Sequence, residues 1–164
     1  MNYHDMTRDD MLNGDGLRAV LWLSGCAHAC EDCQNPQTWD PAGGLPFDEA
    51  AQRELFSLLE RDYIAGLTLT GGDPLFTGNR DGVYALLTRF RERFPLGTKT
   101  VWLYTGYTFE EILAYEGLAL IDVLVDGKYE KKKKNTLLPW RGSENQRVID
   151  VQKSLREKRV CILS

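Results

Sequence analysis

The sequence predicts an α/β fold: one domain over residues 1–164, in which about five or six parallel strands joined by crossovers form an incomplete β/α barrel or a curved open sheet. Three observations predict it. Short apolar runs alternate with stretches of helical periodicity. Each of the first four runs ends in a turn rich in Gly, Asp, Thr or Cys. The 164 residues suffice for one sizeable core but fall short of the roughly 250 of a full eight-unit barrel.

Leu17 to Ser24 is apolar apart from Arg18 and Ser24, as a strand covered on both faces would be. Asp48 to Arg61 places Ala51, Leu55, Leu58 and Leu59 at helical spacing and reads as an amphipathic helix. Leu67 to Thr70 is a short strand. Val83, Leu86, Leu87, Phe90 and Phe94 form one stripe of a helix from about Asp81 to Phe94, stopped by Pro95 and Gly97. Thr100 to Tyr104 is rich in β-formers. Thr108 and Glu111 have capping-box spacing at the start of a short helix through Leu113 and Tyr115. Asp122 to Val125 gives a further strand, with Arg147 to Asp150 and Lys158 to Leu163 as later ones.

The formal charge of −4 argues against nucleic acid as a main partner. No apolar stretch approaches the roughly 18 residues that cross a bilayer, so no membrane partner is expected. Lys131 to Lys134 is the one concentrated basic run and reads foremost as a solvated loop, with contact to an acidic partner surface as the lesser reading. Met1 to Asp5 shows no basic stretch followed by an apolar one, so a cytoplasmic location and reduced thiols are expected.

Chemistry concentrates in the loop after the first apolar run, where Cys26, Cys30 and Cys33 have C-x3-C-x2-C spacing with no fourth cysteine nearby. Thiolates hold iron–sulfur clusters, and a cubane held by protein sulfur alone needs four of them. Three leave one iron open to bind and activate a small molecule. A zinc site with His28 as fourth ligand is the competing reading, although the paired C-x2-C layout is absent. Cys161 reads as a buried small residue on a last strand.

In parallel sheets ligands bind at the carboxyl ends of the strands. There the sequence places the cysteine loop, then Thr70-Gly71-Gly72-Asp73-Pro74-Leu75, Thr105-Gly106-Tyr107-Thr108 and Asp126-Gly127-Lys128. Paired glycines allow main-chain groups to approach a ligand closely, and Asp73 beside them can face an ammonium group. A plain tight turn uses the same residues.

The cysteine loop followed by a Gly-Gly-acidic turn resembles the radical S-adenosylmethionine enzymes. More narrowly, the chain is similar to the small activating enzymes of the anaerobic ribonucleoside-triphosphate reductase. The matching segments are Asn13 to Arg18, the cysteine loop with His28 and Asn35, Trp39, Gly71 to Leu75, Thr105 to Tyr107, Val125 to Lys128, Arg141 to Ser143, and Asn145-Gln146. The resemblance implies a partial barrel of radical S-adenosylmethionine type and a 4Fe-4S cluster on Cys26, Cys30 and Cys33. S-adenosylmethionine then chelates the fourth iron, with its amine at Gly71, Gly72 and Asp73 and its adenosyl part near Asp32, Cys33 and Gln34. It further implies reductive cleavage to a 5′-deoxyadenosyl radical and transfer of the radical to a glycine of the reductase large subunit. The electron comes from a low-potential donor such as flavodoxin. Related alternatives are an activase of another glycyl radical enzyme, such as pyruvate formate-lyase, a small-molecule-modifying radical enzyme, or a non-enzymatic metal-binding interaction module.

One position departs from the pattern. Asp32 stands before the third cysteine, where the branch has Gly and the wider superfamily an aromatic, and its charge near a cluster should make reduction harder. Arg141, Ser143 and Asn145 are expected either to contact a ligand or partner or to brace the sheet. His28 is expected to hydrogen-bond or pack near the cluster rather than ligate iron, Trp39 and Tyr107 to form core or rim, and Asp126 to cap a turn.

Overall fold

The structure, a computed structural model, describes residues 1–163. Its centre is four parallel strands, β2 (Arg18–Leu23), β4 (Gly66–Gly71), β5 (Thr100–Tyr104) and β6 (Val123–Asp126), in that spatial order. Antiparallel strands extend both sides: β1 (Asn2–Asp10) and β3 (Leu45–Pro46) beyond β2, and β7 (Arg147–Asp150) beyond β6. The seven-stranded sheet does not close on itself. The expectation of five or six parallel strands is therefore corrected to four. The reason lies in the final connection: residues 127–146 make no helical crossover but stay at the carboxyl end of β6 and return directly, which forces β7 to run antiparallel.

Register explains the layering. Leu21, Leu69, Leu103, Leu124 and Ile149 lie side by side across five strands, all with no exposed surface. This row, with its neighbours two positions away, packs against the helices in one core. Helix α1 (Glu49–Leu59) starts where the Asp48 carboxylate accepts from the Ala51 amide at 2.9 Å, and buries Ala51, Leu55, Leu58 and Leu59. Helix α2 (Arg80–Arg93) buries Val83, Leu86, Leu87 and Phe90, and ends just before Pro95. Both follow the sequence periodicity.

The opposite sheet face carries Trp22, Thr68, Thr70, Trp102, Tyr104, Val123, Val125 and Val148; among the described residues Trp140 and Leu163, rather than an α-helix, pack against it. Its amino-terminal end is filled by Arg18, which is wholly buried and donates to five uncharged oxygens: Thr68 Oγ1, Thr100 Oγ1 and the carbonyls of Asp15, Leu67 and Thr100, at 2.8–3.0 Å. Five guanidinium donors meet five acceptors, so the charge is fully hydrogen-bonded although no carboxylate touches it.

Other elements differ from the sequence expectation. Strand β1 was unforeseen because Tyr3 and Met6 are its only large apolar residues; pairing to β2, not burial, makes it a strand. The Thr108 and Glu111 capping box forms, with Thr108 N donating to Glu111 Oε2 at 2.7 Å and Glu111 N to Thr108 Oγ1 at 3.3 Å. It opens only the single-turn 3-10 helix Glu110–Ile112, because the backbone turns extended at Tyr115. Residues 151–157 form helix α3 (Val151–Glu157), capped by Asp150. The strand expected at Lys158 to Leu163 reduces to one bridge between Ile149 and Ile162, and Cys161 is buried as expected. Among the described residues no helix is long and apolar enough to cross a membrane.

Gly66 sits where β4 lies closest to β5, and a Cβ there would overlap the Thr100 carbonyl oxygen. Gly66→Ala is expected to cost about 1–3 kcal/mol, the range for overpacking. Urea unfolding should show a lower midpoint with an unchanged slope.

Candidate functional site

A cavity of about 740 Å³ opens at the carboxyl ends of β2, β4, β5 and β6 and runs down the sheet face opposite the helices. Ligand pockets commonly span about 300–1,000 Å³. Cys26, Cys30 and Cys33, all half-buried, line one wall. The loop leaves β2 through Gly25, whose left-handed φ of +108° and contact with Phe76 exclude a side chain. It is tied at its start by Gly25 N to Thr38 O at 2.7 Å and Cys26 N to Trp39 O at 3.0 Å.

Asn35 N donates to Cys33 Sγ at 3.4 Å, and the backbone amides of His28 and Tyr129 pull against the effect of burial on the Cys26 and Cys30 thiols. Such donors stabilise anionic sulfur and tune iron–sulfur centres. Without metal, burial pushes the Cys26 thiol up to about 11 and raises that of Cys30. Among the described residues no three His, Cys, Asp or Glu side chains converge on a single metal ion. The His28 Nε2 considered for zinc is engaged by Asp73 at 2.6 Å.

Gly71 and Gly72 form the turn after β4 and line the cavity. Gly71 has φ +106°, and a Cβ there would meet the Leu23 backbone at 2.5 Å. At Gly72 a Cβ would fall 2.6 Å from Gly25 O and 2.7 Å from Thr38 O. Both are thus glycine because three backbone segments meet behind the cysteine loop. Asp73 is 1% exposed, and its carboxylate accepts from Leu75 N (2.8 Å), Thr105 Oγ1 (2.8 and 3.0 Å) and Gly106 N (2.9 Å) besides His28.

Of the residues expected around a nucleotide cofactor, Cys33, Gln34, Gly71, Gly72 and Asp73 line the cavity and Asp32 does not. Asp32 has φ +58°, and its exposed carboxylate lies 3.1 Å from Lys131 Nζ, which also reaches Glu31 at 3.4 Å. Lys131 thus offsets part of the negative charge noted near the cysteines. The basic run is otherwise a solvated 3-10 turn, as expected.

Residues 127–146 fold back over this side of the cavity. Ser143, fully buried, accepts from Glu130 N at 3.2 Å; Asn145 donates to Lys128 O at 2.7 Å; Gln146 accepts from the Gly142 and Ser143 amides and donates to Gly127 O. Ser143 and Asn145 therefore brace the loop. Asp126 caps the Phe109 amide at 2.8 Å and pairs with Arg147. Arg141 is different: it lines the cavity, and its buried Nε has no partner. The same holds for Trp39 Nε1 and Tyr104 Oη, both on the cavity wall. Buried donors are seldom left unpaired, so three around one cavity mark places for a ligand's acceptors. Three thiols and three orphaned donors lining one cavity fit an iron–sulfur cluster together with a polar small molecule. Sequence reasoning missed Tyr104 and Trp22; their alternation with buried neighbours on β5 and β2 was the available signal.

The family described as "4Fe-4S single cluster domain" matches residues 12–149, and the site defines a protein of that class. A protein of Enterobacteria phage T4 is 47% identical over 148 residues, covering 90% of this chain and 93% of its own. One of Pasteurella multocida is 42% identical over 152 residues (89% and 95%), and one of Escherichia coli K12 is 40% identical over 150 (89% and 96%). All three bear the name anaerobic ribonucleoside-triphosphate reductase-activating protein, and this chain belongs to their family.

A raised thiol pKa means that the folded, metal-free chain holds the proton more tightly than the unfolded one. That contribution to stability is present below the ordinary value of 9.0 and is lost as pH climbs towards about 11. Iodoacetamide labelling of Cys26 in metal-free protein, followed by peptide mass spectrometry, should accelerate with a midpoint near pH 11.

Proposed function

We propose that residues 1–164 form one radical S-adenosylmethionine domain, of the partial-barrel type, that activates the anaerobic ribonucleoside-triphosphate reductase in the cytoplasm. The observation that carries this reading is that three thiols and three orphaned polar groups line one cavity.

Cys26, Cys30 and Cys33 would hold a 4Fe-4S cluster, leaving one iron for S-adenosylmethionine. Gly71 and Gly72 offer main-chain groups to the methionyl amine, with the Asp73 charge behind them, and Asp32, Cys33 and Gln34 flank the adenosyl part, Asp32 through its main chain alone. Trp39, Tyr104 and Arg141 add donors that the fold itself does not use. When bound, the pair would supply one-electron chemistry: with an electron from a low-potential donor of the flavodoxin kind, the sulfonium would split to methionine and a 5′-deoxyadenosyl radical able to take a hydrogen atom from a glycine Cα of the reductase. Glycine suits because no side chain blocks approach to its Cα. The cavity mouth at the strand ends would admit a foreign segment, and residues 127–146 fold over the cysteine side.

Anaerobic reconstitution with iron and sulfide tests the reading. The expected protein changes its electron paramagnetic resonance spectrum on adding S-adenosylmethionine, cleaves it under strong reductant, and leaves a glycyl radical signal on the reductase. Cleavage should vanish in Cys26→Ala, Cys30→Ala and Cys33→Ala and persist in Cys161→Ala. Equal loss in the Cys161 variant sinks the three-ligand assignment.

A further inference from the structure

We infer that Asp73 and His28 form a clasp that sets the cysteine loop in place before any iron arrives, so that both are positioning residues for the metal centre. The hydrogen bond of 2.6 Å between His28 Nε2 and Asp73 Oδ2 joins the middle of the cysteine loop to the turn after β4.

Between Cys26 and Cys33 the loop has little regular structure, and two non-glycine residues, Ala29 (φ +50°) and Asp32 (φ +58°), adopt left-handed backbone. Such conformations persist only where the surroundings over-determine them. The ion pairs of Glu31 and Asp32 with Lys131 are solvent-exposed and hold weakly. His28 is the buried anchor: its side chain is 9% exposed, and it packs edge-on to Tyr107 with ring centroids 4.7 Å apart. Gly106 makes room for it, since a Cβ there would fall 2.5 Å from His28 Cδ2. Arg80 lies over the far side of the arrangement, 5.1 Å from the Tyr107 ring.

The other half of the clasp is fixed independently. Leu75 N, Thr105 Oγ1 and Gly106 N hold the Asp73 carboxylate from the ends of β4 and β5. A carboxylate offers two acceptor oxygens, and an imidazole Nε2–H can donate to either of them. Both Asp73 oxygens are thereby occupied from within the protein. The acidic residue of the Gly-Gly-Asp turn thus acts through His28 on the placement of Cys26 and Cys30, two residues to either side.

Amide hydrogen exchange of metal-free protein tests this without any assumption about the cofactor, so its outcome is separable from that of the activation reading. His28→Ala should speed exchange across residues 26–34 by about tenfold or more while peptides from β4 and β5 keep their protection. His28→Gln, which can still donate to Asp73, should restore most of the protection and of the iron content after reconstitution. His28→Phe, which fills the slot without a donor, should behave as His28→Ala and provides the comparison if the alanine variant unfolds. Parental protection of the loop in His28→Phe, or no recovery in His28→Gln, overturns the clasp.

Discussion

The row Leu21, Leu69, Leu103, Leu124 and Ile149 is the constraint on which the rest of the molecule depends. It bonds one sheet face to every helix and commits all the helical cover to that side. The second face adds a smaller apolar cluster of Trp102, Val123, Val125 and Val148 and otherwise carries polar and aromatic residues. Arg18 seals the amino-terminal end of that second face with five hydrogen bonds. At the other end the strands stop together, and Gly71 and Gly72 let the connecting turns touch backbone to backbone, while Gly25 leaves room for the Phe76 ring. The thiols are thus carried on a loop whose two flanks rest on the most rigid part of the chain.

Much of this was legible in the sequence. The helices over residues 49–59 and 80–93 and the four parallel strands follow from apolar periodicity, because each buries one face against the same core. The cysteine spacing and the Gly-Gly-Asp turn pointed to the cavity wall on which they lie. What escaped has physical reasons. Strand β1 owes its existence to hydrogen bonds with β2 rather than to its own side chains. The direction of β7 depends on the path of residues 127–146, whose anchors, Ser143, Asn145 and Gln146, bond mostly to main-chain groups and leave no periodic trace. Glu31 and Lys131 lie a hundred positions apart, beyond the reach of any spacing argument. Arg18 interrupted an apolar run and was the visible sign of the buried anchor.

The two turns of the Gly71 and Gly106 segments serve different ends. The first is glycine because backbones cross; the second because an imidazole needs the volume. Two glycines that look alike in sequence therefore answer to separate demands, one from the sheet and one from the cysteine loop. Asp73 joins them, since it sits in the turn shaped by the first and holds the ring admitted by the second. Two strand ends and one loop are coupled through a single carboxylate.

The cavity also bears on thermal behaviour. Its floor is the sheet that keeps the chain native and its walls are loops anchored to that sheet, so an occupant cannot be bound by a molten chain. Mass action then makes the melting temperature a gauge of occupancy, worth about 2.7 kcal/mol at a hundredfold excess over the dissociation constant.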